Sequence, residues 1–416
     1  MPTLHPVAPR LNLAPTAGVF AYVANTIDAT VSVIRISDNA LIKTVPVGTF
    51  PFGVAVTPDG SKAYVTQRSF GPTINNTVSV IQTSDNTALL PPVTVGHAPF
   101  AVAITPDGSK AYVANFDDNT VSVFNTSDNS PVKTVPVGNG PSAVAITPDG
   151  SKAYVTNFSD NTFSVISPNN NYGVQTFSLG IFSNFPSGVA ITPKGDKVYV
   201  TNSLTNSVSV IETTGNTVTN TVGVGVMPQG IAISPDGSVA YVTNTGFAAN
   251  TVSVIRTTDD IVVRTVNVGA DPTAVAFTPD GSAAYVTNFD VNLHSISVIR
   301  TSDHTVVQTL TNVGRTPSGI AIGTISAPPP PTPRQLIVLL QSSVTSALLS
   351  FGISTSLQAK LSDALAALNA GDTAAACSAL QDFIDEVNAQ AGKKISSADA
   401  TAFIDRATAI RTSIGC

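Results

Sequence analysis

The chain has 416 residues, in which 20 Lys and Arg face 26 Asp and Glu for a net charge of −6. That mild acidity excludes a basic nucleic-acid face, so no nucleic-acid partner is expected. Charged residues make up only 11% against 43% hydrophobic, which excludes a disordered chain and leaves Thr, Ser and Asn to cover the surface.

Residues 1–17 read as an N-terminal arm with one Arg, four prolines and no apolar core, so they do not form a secretory signal. Export would then need a leader removed before this numbering or another route. No stretch reaches the ~18 apolar residues of a membrane-spanning helix, the longest candidate being residues 336–340, and no transmembrane segment is expected. Two cysteines, Cys377 and Cys416, are too few for a disulfide-dense scaffold or a four-cysteine zinc site.

From residue 18 one unit recurs seven times, marked by Tyr-Val-(Thr/Ala)-Asn beginning at Tyr22, Tyr64, Tyr112, Tyr154, Tyr199, Tyr241 and Tyr285. The spacings of 42, 48, 42, 45, 42 and 44 suit four short strands per unit. One copy carries Gln67 where the others have Asn. Each unit parses into a first strand such as residues 53–56, a Pro-Asp-Gly turn such as Pro58, Asp59 and Gly60, the Tyr-Val strand, and two further strands such as 119–124 and 134–138. Lys194 replaces the turn Asp once. Val, Ile and Thr dominate throughout, which is β-sheet chemistry.

A propeller, a β-solenoid or separate small sandwiches would all repeat in this way. The first strand decides for the propeller. It is small in every copy, with Ala55, Ala103, Ala145, Ala190, Ala232, Ala276 and Ala321 as its third residue, as a narrow central axis requires. Apolar Val121, Val123 and Phe124 occupy both faces of one strand, as between neighbouring blades. The repeats open with a Tyr-Val strand lacking a first strand and end at residues 319–322 with a first strand lacking the rest. The expectation is an all-β seven-bladed propeller over residues 18–325, closed by its C-terminal strand pairing in the N-terminal blade. The Tyr-Val-Thr-Asn and Pro-Asp-Gly signatures resemble the YVTN family of seven-bladed β-propellers. The resemblance implies an extracytoplasmic or surface-layer-like protein, with lactonase-like propellers as more distant kin.

Residues 326–334 read as a linker, because residues 327–333 hold five prolines. Residues 335–416 turn to Ala and Leu at helical spacing, and four helices are predicted at about 334–351, 356–370, 373–391 and 397–414. Their N-cap candidates are Ser356, Asp372 and Ser396, with stops at Gly371 and Gly392. Leu357, Leu361, Ala364, Leu365 and Leu368 form one apolar stripe; Leu380, Phe383, Ile384 and Val387 form another. Antiparallel neighbours would bring the start of the third helix beside the end of the fourth, where Cys377 and Cys416 stand, so a disulfide and an oxidising compartment are expected. Phe383, Ile384, Val387, Asn388, Gly392 and Cys416 resemble the FIMAH-type helical domain appended to secreted bacterial proteins.

Residues identical in all blades are economically structural, so a site is sought where the copies differ. Loops before the first strands hold Phe50, Phe52, His97, Phe100, Asn139, Phe185, Met227, Gln229, Asp271 and Arg315. Loops after Tyr-Val-Thr-Asn hold Arg68, Phe116, Asp117, Asp118, Phe158, Asp160, Phe247, Phe289, Asp290 and His294. Such a face would engage a protein, glycan or small ligand. The asparagines of the motif are expected to bond loop backbone. A lactonase-like hydrolase would use His97 as base with Arg315 or Asp271 nearby, but no Gly-x-Ser-x-Gly elbow occurs. His5 and His304 fall in the arm and an opposite-end turn. No cofactor or transition metal is expected; the one cation site considered is calcium near Asp117, Asp118 and Asp160. The reading is an extracellular or cell-surface binding propeller, with a hydrolase or a surface-layer subunit as alternatives.

Overall fold

A computed structural model describes residues 17–68, 76–180, 185–246, 249–290, 293–326, 332–347 and 349–416. Most of the expected arm with His5, residues 327–331 of the expected linker, and Phe247 lie outside the described residues. The chain falls into two compact units, Met1–Ala327 and Pro328–Cys416.

The first unit holds seven four-stranded antiparallel sheets, the expected blades. Six use consecutive strands, while the seventh combines Gly18–Asn25, Thr30–Arg35 and Ala40–Pro46 with Pro317–Ile325 from the far end of the repeats. Across that closure Phe20 pairs with Gly323, Ala21 with Ile322 and Tyr22 with Ala321, so the edge of the opening strand is consumed.

Seven apolar cores lie between successive blades. In one, Tyr64, Val78 and Val80 meet Val102, Val113 and Phe124 of the next blade. Each such side chain contributes roughly 1.5–3 kcal/mol on burial, and none can be buried by a blade alone. The axis is tightest at the residue after Pro-X in the innermost strands, two before the invariant alanine. A Cβ added to Gly188, Gly230 or Gly319 would stand 2.0–2.4 Å from a carbonyl oxygen of the neighbouring innermost strand.

The recurring motif has one task per residue. The tyrosine hydroxyl reaches the next blade's last turn: Tyr22 donates to Asn86 (2.7 Å), Tyr154 to Asn216 (2.6 Å) and Tyr285, across the closure, to Asn39 (2.5 Å). The threonine spans two elements. Thr201 accepts from the Gly188 amide (2.7 Å) and donates to the Gln229 carbonyl of the next blade (2.8 Å), and Thr66, Thr156, Thr243 and Thr287 repeat the pattern. The asparagines differ from expectation, since each Nδ2 donates to two hydroxyls of the following strand rather than to loop backbone. Asn157 to Thr162 and Ser164, both at 2.9 Å, is typical. Gln67, one methylene longer, gains an acceptor bond from Thr77 at its Oε1.

The second unit contains α1 (Pro333–Ser346), α2 (Phe351–Ala370), α3 (Thr373–Gln390) and α4 (Ser397–Ser413) around one core that includes Leu357, Leu361, Leu380, Phe383 and Val387. Helix α1 starts inside the expected linker because Thr332 and Gln335 form a reciprocal cap with Pro333 at the first turn. Helix α2 begins after Ser350, six residues before the expected cap at Ser356. Ser356 instead lies within the helix and donates to Glu386 (2.8 Å). Asp372 and Ser396 cap α3 and α4 as expected, and Gly371 ends α2 at φ 79°. Cys377 and Cys416 lie at disulfide distance, their Cα atoms 5.9 Å apart. No described helix is long and apolar enough to cross a membrane.

Candidate functional site

Every innermost strand carries a register shift just after its opening proline, for instance between Pro51 and Val54, Pro141 and Ala143, and Pro228 and Ile231. Such a bulge re-aims one side chain. The re-aimed residue follows the proline, and in all seven blades it lines a single cavity of about 560 Å³: Phe52, Phe100, Ser142, Ser187, Gln229, Thr273 and Ser318. A second tier comes from the residue after the motif asparagine or glutamine, supplying Arg68, Phe116, Phe158, Ser203 and Thr245. These are held in place by backbone bonds to the preceding loop, as from the Phe116 amide to the Ala98 carbonyl (3.0 Å) and from the Phe158 amide to the Gly140 carbonyl (2.9 Å).

The wall is asymmetric. Phe52, Phe100, Phe116, Phe158 and Phe185 form a continuous arc, with successive ring centroids 4.6, 5.7, 6.2 and 4.9 Å apart. These are ordinary distances for aromatic pairs. Arg68 caps one end, its guanidinium carbon 4.1 Å from the Phe100 ring centroid and 5.0 Å from that of Phe52. Burial pushes the Arg68 guanidinium down to about 10, with the charge of Asp117 acting in the opposite sense. It therefore stays charged at neutral pH. Leu204 and Met227 continue the apolar lining on the far side.

Two of these side chains sit on costly backbone. Phe185 and Met227 have φ of 46° and 50°, a left-handed region that one blade fills with Gly140. The same position is left-handed in the remaining blades, at Phe50, Ala98, Asp271 and Thr316, so the conformation belongs to the repeat's bulge and any non-glycine residue there carries its cost.

Of the residues named from sequence, Phe52, Arg68, Phe100, Phe185, Met227 and Gln229 meet at this cavity, together with Phe116 and Phe158. His97, Asn139, Asp271, Asp290, His294 and Arg315 do not line it. In three blades the residue after the Val-Gly pair meets an aspartate in the facing loop. His97 Nδ1 lies 2.8 Å from Asp118 Oδ1, Asn139 Nδ2 donates to Asp160 (2.7 Å), and Arg315 pairs with Asp28. The Asp271 amide donates to Asn250 Oδ1 (3.4 Å) and its carbonyl accepts from the Thr273 hydroxyl (3.1 Å) and the Phe289 amide (2.9 Å), while His294 Nδ1 lies 3.1 Å from the Asp290 carbonyl. The proposed catalytic set of His97, Asp271 and Arg315 is therefore distributed over loops with separate partners. Burial alone would raise the Asp118 carboxyl, but the amide and ring of His97 hold it below its ordinary value. Asp118 and Asp160 are thus committed to loop partners, and among the described residues no group of three or more His, Cys, Asp or Glu gathers as a metal site.

Sequence reasoning missed Ser142, Ser187, Ser203, Thr245, Thr273 and Ser318. The signal was present as position rather than chemistry: the residue after each opening proline and the residue after each motif asparagine.

Among curated proteins there is no significant match. Solved structures with the same fold include hydrazine synthase from Kuenenia stuttgartiensis, 22% identical over 73% of this chain and 99% of that one, with a TM-score of 0.58. A functionally unknown protein from Desulfotomaculum acetoxidans is 20% identical over 74% and 99%, with a TM-score of 0.60. A putative 6-phosphogluconolactonase from Bacteroides fragilis is 16% identical over 76% and 99%, with a TM-score of 0.61. At these identities the likeness is one of fold. Residues 186–330 match the family model of the YNCE-like β-propeller and residues 335–412 that of the FIMAH domain, so both resemblances read from the sequence have a counterpart.

Proposed function

We propose that this chain is an extracytoplasmic binding protein whose ligand enters the axial cavity on the variable-loop face, with the helical unit serving as an attachment or interaction module. The observation that carries the reading is the cavity wall. Two positions per repeat hold four phenylalanines and one arginine on one side, joined by Phe185, and small hydroxyls with Gln229 elsewhere on the wall. A concave, mostly apolar site with few polar groups is the general form of a small-ligand pocket. Placement outside the cytoplasm is supported by the cysteine pair at disulfide distance, since such bonds persist in oxidising compartments.

The test is titration with the neutral fluorophore N-phenyl-1-naphthylamine. One molecule should bind per chain, and Phe158→Ala, with unchanged circular dichroism, should weaken binding about tenfold, the loss expected of an aromatic contact worth about 1.4 kcal/mol. Absence of binding, or binding indifferent to Phe158, would overturn the reading. The hydrolase reading draws on one observation, the His97–Asp118 pair, which is the geometry of a base held by an orienting carboxylate. Lactone or ester turnover lost in a folded His97→Ala variant would replace the binding reading with that one.

A further inference from the structure

One polar side chain on the cavity wall is left without a partner. Among the described lining residues, Gln229 alone of the polar side chains makes no hydrogen bond to the protein, while its backbone carbonyl accepts from Thr201 (2.8 Å). The other polar groups are committed. Ser142 donates to the Pro186 carbonyl (3.0 Å), Ser203 to that of Pro228 (2.9 Å), Thr245 to that of Met227 (2.8 Å) and Thr273 to that of Asp271 (3.1 Å). Ser187 and Ser318 reach the Pro228 and Pro51 carbonyls in the same way. A hydroxyl has one hydrogen, so these six can add only acceptor bonds. Arg68 is engaged as well, its guanidinium resting over the Phe52 and Phe100 rings with the charge of Asp117 acting on it.

The departure is specific to one blade. At the same position in three others, Ser142, Ser187 and Ser318 bond the opening-proline carbonyl of the next blade. Gln229 makes no such bond to Pro272, and its half-buried amide is left on the cavity wall. Its blade stands three from that of Phe52 in one direction and three from that of Phe100 in the other, which in a ring of seven is the far side of the axis. An aromatic body on the five-ring arc would therefore have this amide opposite it.

A primary amide presents an acceptor, Oε1, and a donor, one Nε2–H, side by side. A ligand that displaces water from both atoms and meets only one leaves the other unpaired, so a ligand that meets both at once is favoured. The chemistry that does so carries a donor next to an acceptor on one edge, as in a primary carboxamide or a lactam. A trans peptide bond cannot, because its N–H and C=O point in opposite directions.

We infer that Gln229 sets the specificity of the axial cavity, which takes an aromatic carboxamide or lactam, its ring on the phenylalanine arc and its amide edge paired with the Gln229 amide across the axis. The inference rests on the binding reading above and adds to it the chemical class of the ligand and the residue that recognises it.

The experiment compares by calorimetry 2-naphthamide with the near-isosteric methyl ketone 2-acetylnaphthalene, which keeps the acceptor and lacks the donors. The wild-type protein should bind the amide about fivefold more tightly or better, the worth of one added hydrogen bond. Gln229→Met, of similar length and without the amide, should abolish or reverse that preference. Should it fail to fold, Gln229→Ser takes its place, since serine holds this position in three other blades. Equal affinities in the wild type, a preference for the ketone, or a preference for the amide that survives loss of the Gln229 side chain would overturn the inference. If N-phenyl-1-naphthylamine binds and neither naphthyl ligand does, the inference falls and the binding reading stands. If none of the three binds, both fall together.

Discussion

At residue scale, the tyrosine of each repeat shows how one side chain couples neighbouring blades. Its partners are Asn39, Asn86, Asn129, Asn216, Asp260 and His304, all with φ between 52° and 59°. The left-handed turn position admits short polar residues most readily, and the tyrosine hydroxyl then uses the polar group that the turn chemistry required. The blade following Tyr112 lacks this arrangement because a short helical turn, Pro168–Asn170, replaces the usual one and places Tyr172 beside it, ring centroids 6.5 Å apart. His304 makes one of these couplings sensitive to pH. Its Nδ1 lies 2.6 Å from the Tyr241 hydroxyl. Burial, assisted by the charge of Arg264 and opposed by that of Asp303, holds its pKa below the ordinary histidine value. Below that ordinary value, about 6.5, the unfolded chain takes up a proton that the folded chain refuses, so stability falls as pH falls. Thermal unfolding between about pH 7 and about pH 5 should therefore show a steeper loss in the wild type than in His304→Asn, which restores the commoner residue. Parallel curves would remove His304 from the acid response.

The innermost strand is the element on which both closure and cavity depend. Its glycine lies against the neighbouring strand: a Cβ on Gly319 would stand 2.0 Å from the Phe52 carbonyl oxygen. Gly319→Ala should cost about 1–3 kcal/mol in urea denaturation through overpacking. Gly223→Ala, on an outer strand where a Cβ meets nothing within 4 Å, should change stability by less than about 0.5 kcal/mol. Similar losses at the two sites would show that the axis can widen at little expense. The strand also marks how far the sequence could be read. Seven copies in register made blade number and closure legible, because repetition averages out local ambiguity. The bulge was hidden, since pairing register depends on a partner strand and leaves no mark in a six-residue segment. Loop residues three positions apart, such as His97 and Phe100 flanking Ala98 and Pro99, therefore looked alike although only Phe100 lines the cavity. In the helical unit the start of α2 was missed for a related reason: Ser350 makes no side-chain cap bond and Gly352 interrupts the helical pattern.

At the scale of the whole molecule, two strategies of stabilisation coexist in one chain. The propeller distributes its apolar contacts over seven equivalent interfaces and closes them with a long-range strand pair, so it needs no covalent tie. The helical unit is small, and a domain of that size buries a smaller fraction of its surface. There the pair Cys377–Cys416 closes a loop of 39 residues between the second turn of α3 and the segment just after α4. On the chain-entropy account such a link contributes about 4 kcal/mol, a large share of the stability of a domain of this size. Reduction should accordingly lower the unfolding midpoint followed by helical ellipticity, and Cys377→Ser with Cys416→Ser should reproduce the shift without reductant. The axial cavity, whose residues lie in the other unit, should keep its affinity for N-phenyl-1-naphthylamine under the same conditions. A helical unit indifferent to both treatments, with two thiols open to alkylation in the denatured oxidised protein, would remove the argument for an oxidising compartment and leave the ligand-binding argument standing.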